Sequence, residues 1–186
     1  MMKKLAIAVV ALMFLAPTLG LVTVGLVINP AVIACLSSSG LTLGNVPDSL
    51  VVTTANGETF TLNKQQLTHA ATIITVGSRI EGVTRDGVQI AIMAALTEST
   101  LRQLANTGTY PESGGYPNDG NGSDHDSLGL FQMRPQSGWG SVAELMDPKY
   151  QAAAFFGGPS GPNYPSPRGL LDIPGWQSMG KGEAAQ

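Results

Sequence analysis

Nine consecutive residues, Val88 to Leu96, are apolar apart from Gln89. A helix with no polar face is stable only inside a core. This stretch therefore predicts a buried helix around which the remainder of a domain must wrap. Glu98 follows almost at once, and the chain beyond it turns polar and rich in glycine. Where a core helix meets a wet loop, desolvation favours the protonated form of a carboxylic acid. That form is what protonation of a glycosidic oxygen requires, so Glu98 is the first candidate catalytic residue. The plainer reading is an ion pair with Arg102, four residues on in the favourable helical orientation.

The helix is expected to run from about Arg85 to Leu104, with Leu101 and Leu104 continuing its stripe and Asn106 and Gly108 stopping it. Upstream, Val51–Thr54 and Glu58–Leu62 flank Ala55-Asn56-Gly57, and Asn-Gly between β-prone runs predicts a hairpin. Asn63 and Gln66 spell a capping box for a helix carrying Leu67, Ala70, Ala71, Ile74 and Ile80. His69 in that helix reads as a surface or packed side chain. Gly82 to Gly87 separates the two helices. Downstream, Thr107 to Ser123 is a long loop too polar to pack, bounded by Tyr110 and Tyr116, and such loops are commonly functional. Ser141–Glu144 and Asp147-Pro148 each start a short helix. The stretch from Gly157 to Pro167 is a proline-rich loop.

The N-terminus adds a different constraint. Lys3 and Lys4 precede 24 uncharged residues, Leu5 to Ile28, which as a helix would reach about 36 Å at ~1.5 Å per residue. That length spans a bilayer and exceeds the apolar core of an ordinary secretory signal. Residues 1–36 are therefore expected to be a membrane anchor, with the lysines cytoplasmic and the domain on the outer face. Val32-Ile33-Ala34-Cys35 supplies an alternative, a lipoprotein processing site with Cys35 lipidated. The expected organisation is anchor 1–36, linker 37–50, folded domain 51–180 and a tail 181–186.

Charge and composition exclude several functions. Ten basic against 13 acidic residues give a net charge of −3, and no basic stripe exists to neutralise phosphates, so nucleic acid is not an expected partner. The single cysteine, Cys35, has no internal disulfide partner, and His69 and His125 form no zinc pattern. No cofactor or metal is expected. Asp119, Asn121, Ser123, Asp124 and Asp126 place oxygen atoms at near-alternate positions, yet Asp124 stands where a calcium loop needs glycine and Leu130 where it needs glutamate. The competing reading is a solvated acidic loop in which Asp126 caps the turn into Leu128–Gln132.

The order of short motifs narrows the class further. Glu98-Ser99 at the end of an apolar helix, followed by Gly129-Leu130-Phe131-Gln132, resembles the Glu-Ser and Gly-Leu-Met-Gln motifs of lytic transglycosylases and goose-type lysozymes. With Thr97, Asp126-Ser127-Leu128, Arg134-Pro135, Gly138-Trp139-Gly140 and Pro174-Gly175-Trp176-Gln177-Ser178-Met179, the stretch from about 50 to 180 looks like the lysozyme-like domain of actinobacterial and phage cell-wall proteins. The resemblance implies a mainly α-helical lysozyme-like fold with a short hairpin, peptidoglycan glycan strands as substrate, and Glu98 as catalytic acid. It places Ser99 and Gln132 in the same cleft. Related domains generally carry a further helical segment after the last of these motifs. Aromatic faces and amides suited to sugar rings are available at Tyr110, Tyr116, Trp139 and Gln136, with Trp139 equally suited to plugging the core. Asp126 is the candidate second carboxylate. The alternative from another class is a non-catalytic lysozyme-like scaffold that binds glycan or builds a secretion or conjugation apparatus.

Overall fold

The computed structural model describes residues 44–54 and 57–185. The expected anchor, Cys35 and the first half of the expected linker lie outside the described residues. The chain divides into two compact units, Met1–Asn45 and Val46–Gln186, and only the second contains described secondary structure. Among the described residues no helix is long and apolar enough to cross a membrane.

The second unit is mainly helical with one two-stranded sheet. Strands β1 (Ser49–Thr53) and β2 (Thr59–Asn63) pair antiparallel with Val51 opposite Thr61, as the Asn-Gly signal predicted. β1 begins two residues before the expected start of the domain at 51. β2 runs straight into α1 (Lys64–Gly77). The capping box is formed: Gln66 N donates to Asn63 Oδ1 at 3.0 Å and Asn63 N to Gln66 Oε1 at 2.9 Å. Helix α1 ends before Ile80, which sits in the turn that follows.

Helix α2 (Arg85–Ser99) starts where expected, with Thr84 accepting from Gly87 N. It buries Val88, Ile90, Ala91, Ala94 and Ala95, but Met93 is 37 % exposed and Ile92 and Leu96 are half-buried. The uniformly apolar run is thus one wall of the core and one wall of a groove, not a helix buried all round. It also stops five residues short of Leu104. Thr100 and Leu101 both take left-handed backbone, with φ of 56° and 59°, which is uncommon for side-chain-bearing residues and rarer for a β-branched one. Gln66 helps hold this turn, its Nε2 donating to the Thr100 carbonyl at 2.7 Å. Leu101, Leu104 and Ala105 still reach the core, but by a chain reversal rather than by a helical stripe.

The stretch from Thr107 to Ser123 is not structureless. Ala105 forms an isolated parallel bridge with Asn121, Pro111–Gly115 makes a 3-10 turn with Ser113 fully buried, and Tyr110 and Tyr116 pack on the core. His69 is a packed side chain, its Nε2 2.7 Å from Asp119 Oδ2, which also accepts from Gln103 N. Two capped helices follow, α3 (Val142–Leu145) and α4 (Pro148–Phe156). α4 packs on α1 and α2. Residues 181–184, expected to be tail, form α5 (Lys181–Ala184), which packs on α2 through a 2.8 Å ion pair from Lys181 to Asp86. The core joins Ile73, Ile90, Leu128, Leu130, Leu145 and Phe156, each 2 % exposed or less. Each such side chain contributes about 1.5–3 kcal/mol by leaving water.

Candidate functional site

The end of α2 and the segment Leu128–Met133 are joined by one side chain. Ser99 is buried, and its hydroxyl donates to the Leu130 carbonyl at 2.7 Å while accepting from Arg102 N at 3.1 Å. Ser99 therefore cannot meet a ligand, contrary to expectation. Its position next to Glu98 has a structural cause: it ties the helix end to the Gly129–Gln132 turn.

That turn is built by packing. Leu128 and Met133 bridge across it, and Gln151 of α4 reaches in, accepting from Phe131 N at 2.8 Å and donating to the Leu128 carbonyl at 2.9 Å. Gly129 has φ +73°, and a Cβ there would overlap the Gln151 amide and stand 2.7 Å from the Leu145 carbonyl oxygen. Only glycine fits. Gln132 also takes left-handed backbone, φ 47°, with its Nε2 donating to Gly129 O at 2.8 Å.

These constraints bring Glu98, Gln132 and Trp139 to one groove of about 330 Å³, whose apolar walls include Phe131, Phe155 and Leu170. Phe131 and Phe155 stack with ring centroids 4.6 Å apart. Trp139 is half-buried, packing on the core and lining the groove at once. Its carbonyl is pinned by Asn163 Nδ2 at 2.8 Å and the Tyr150 hydroxyl at 3.1 Å. Burial, with the Glu144 charge adding, pushes the Tyr150 pKa up, so that hydroxyl stays a donor.

Glu98 itself is exposed, and no hydrogen bond or ion pair engages it among the described residues. The enclosure expected of it is absent, because the helix side that carries it faces the groove and not the core. The Arg102 ion pair is absent too. Once the helix stops at Ser99, Arg102 is no longer one turn away, and its Nε donates to the Ser99 carbonyl at 3.2 Å.

The remaining candidates lie elsewhere. Asp126 is buried, bonded to Arg134 Nε, to Gln136 N at 3.1 Å and to the Tyr110 hydroxyl at 3.5 Å. Burial alone would push its carboxyl up, but the Arg134 hydrogen bond, the Gln136 N–H and the Arg134 charge outweigh that, holding it below the ordinary 3.8. It is not part of the groove lining and is committed to shaping the Arg134–Gln136 turn. The Gln136 side chain is exposed and also outside the groove. Tyr110 is bound to Asp126, and Tyr116 lines a separate pocket with His69 and Gln103. The oxygen atoms weighed for calcium diverge: Asp119 turns to His69, Asn121 to Thr107 and Asp126 to Arg134.

Two charged groove residues had no role assigned from sequence, Arg134 and Arg168. Arg134 stood in a quoted motif without a role. Nothing marked Arg168, which directly follows the proline-rich loop. It is brought in by a backbone clasp: Gly157 and Gly169 approach so closely that a Cβ on Gly169 would stand 2.5 Å from Gly157 Cα. Asp172 Oδ2 accepts from both Gly158 N at 2.9 Å and Gly169 N at 3.0 Å. No protein-family model matches this chain, and no curated protein matches it significantly.

Proposed function

We propose that the protein cleaves the β-1,4 bond between N-acetylmuramic acid and N-acetylglucosamine in peptidoglycan, using a lysozyme-like domain held at the outer face of the cell membrane by its N-terminal segment. The observation that carries this reading is the shared groove. Glu98, the residue the motif resemblance names as acid, lines it together with Gln132 and Trp139, residue types suited to a sugar ring. Glu98 donates its proton to the leaving oxygen and, once ionised, serves as base for the second step. A bound glycan covers the groove and supplies the exclusion of water that the open groove lacks.

The test is clearing of purified cell walls, followed as turbidity, by the chain and by its Glu98→Gln variant. Glutamine keeps volume and hydrogen-bonding capacity but has no proton to give. Because Glu98 is exposed and unbonded, its replacement should leave stability within about 0.5 kcal/mol, so loss of clearing reads on chemistry. A variant that clears walls at near the wild-type rate overturns the assignment. Glycan binding by a wild-type chain that clears nothing would turn the proposal into that of a non-catalytic binding scaffold.

A further inference from the structure

The charges on the groove are distributed against the overall balance of the chain. The whole sequence carries −3, yet apart from Glu98 the titratable side chains lining the groove are both basic, Arg134 and Arg168. The cations, unlike Glu98, carry charge at any working pH, and the two are held differently. Arg134 is oriented by buried Asp126, which takes its Nε. That leaves its two outer nitrogens with no partner among the described residues. Its side chain is 44 % exposed, so these donors are reachable. Arg168 is exposed and has no hydrogen bond or ion pair among the described residues. Its backbone is nonetheless fixed, since the neighbouring Gly169 N is bound by Asp172 and packed on Gly157. Both guanidiniums are solvated in the open groove, and a glycan seated on its apolar walls would lower the dielectric around them. The planar fork of donors matches a carboxylate.

We propose that Arg168, with the outer nitrogens of Arg134, forms a carboxylate-reading subsite in the groove. The substrate selected is then a glycan bearing a free carboxylate near the bond under attack, in preference to a neutral N-acetylglucosamine polymer. This rests on the peptidoglycan reading above and narrows it. Two sources supply such a group: the lactyl carboxylate of a muramic residue without peptide, and a carboxylate of the peptide attached to one. Asp126 is a positioning residue here, acting through Arg134.

Equilibrium binding to the chain carrying Glu98→Gln, which removes turnover from the measurement, separates these. The probes are neutral chitotetraose, a peptide-free muramic-containing tetrasaccharide, the same tetrasaccharide with its peptides, and that peptide form with its carboxylates amidated. Adding Arg168→Ala is expected to weaken binding of at least one carboxylate-bearing probe by roughly tenfold while leaving chitotetraose unchanged. Arg168→Lys, which keeps the charge but not the fork, is expected to recover part of the loss, and added salt to erode the difference between probes. An effect on the peptide-free probe assigns the lactyl group; an effect on the free-acid peptide form alone assigns the peptide. Unchanged binding of both carboxylate probes, or an equal loss for chitotetraose, overturns the subsite. Cleavage that survives Glu98→Gln overturns the catalytic reading instead, and the Arg168 comparison is then read from initial binding, before turnover. Arg168 makes no internal bond, so its variants should keep the wild-type unfolding midpoint. Arg134→Ala, which strands buried Asp126, is not needed.

Discussion

Ser99 and Asp126 show how residues in a catalytic-looking motif serve by holding others. If Ser99 only links α2 to Leu130, then Ser99→Ala should lower unfolding free energy by about 1–3 kcal/mol, the cost of leaving buried backbone groups unpaired, as measured by urea denaturation. A substrate-binding serine would leave the midpoint unmoved. Asp126 makes a pH-dependent contribution. Its folded pKa lies below the ordinary 3.8, so the unfolded chain binds the proton more readily. The stabilisation is therefore full above about pH 4 and fades as the pH falls through the folded value. Urea midpoints of the wild type and Asp126→Asn should differ most at neutral pH and converge in acid; a gap that stays constant down to pH 2 would show that the charge is not what matters. The Ser99 role was not legible in the sequence, and for Asp126 a turn role was readable but on the wrong turn, Leu128–Gln132 in place of Arg134–Gln136. A buried hydroxyl and a sugar-binding one look alike as letters, and the depth of Asp126 depends on Arg134, Gln136 and Tyr110 meeting around it.

At the level of elements, the parts fixed by local chemistry were readable and those fixed by tertiary contact were not. The hairpin and the caps at Asn63, Ser141 and Asp147 depend on residues within a few positions of one another, and all formed. The end of α2 did not follow local signals, because Gln66 of α1 binds Thr100 and Ser99 binds Leu130, two long-range bonds that outcompete continuation of the helix. The stretch from Thr107 onwards is a loop as expected, but it packs, for the same reason, its order coming from the Ala105–Asn121 bridge and from Ser113. The clasp carrying Arg168 is likewise invisible in sequence. It predicts that Gly169→Ala, which would press a Cβ to 2.5 Å from Gly157 Cα, destabilises by about 1–3 kcal/mol. Gly182→Ala, with nothing within 4 Å of its Cβ position, is the matched control and should stay within about 0.5 kcal/mol. Thermal unfolding of the two variants checks this, and equal midpoints would mean that the clasp gives way without cost.

For the whole molecule, the arrangement of carboxylates bears on the product of the proposed reaction. Inverting hydrolases need a base roughly 6.5–9.5 Å from the acid, and retaining ones a carboxylate nucleophile at about 5–5.5 Å. Among the described residues Glu98 is the only acidic side chain that lines the groove, and Asp126, the candidate partner, is buried and paired with Arg134. Among the described residues, then, no second carboxylate lines the groove to activate water or to attack the sugar. On the proposed reading, the acetamido group of N-acetylmuramic acid stabilises the developing cation, and ionised Glu98 takes the proton from the 6-hydroxyl of the same sugar. That hydroxyl attacks C1 with the advantage of a tethered nucleophile. The expected products are 1,6-anhydromuramoyl ends, which mass spectrometry reads as one water lighter than reducing ends. Strands ending only in reducing sugars would require a water held opposite Glu98 by some group other than a groove carboxylate. Asp126→Asn does not discriminate between these routes, since it frees Arg134 and disturbs the groove in both. Product mass does.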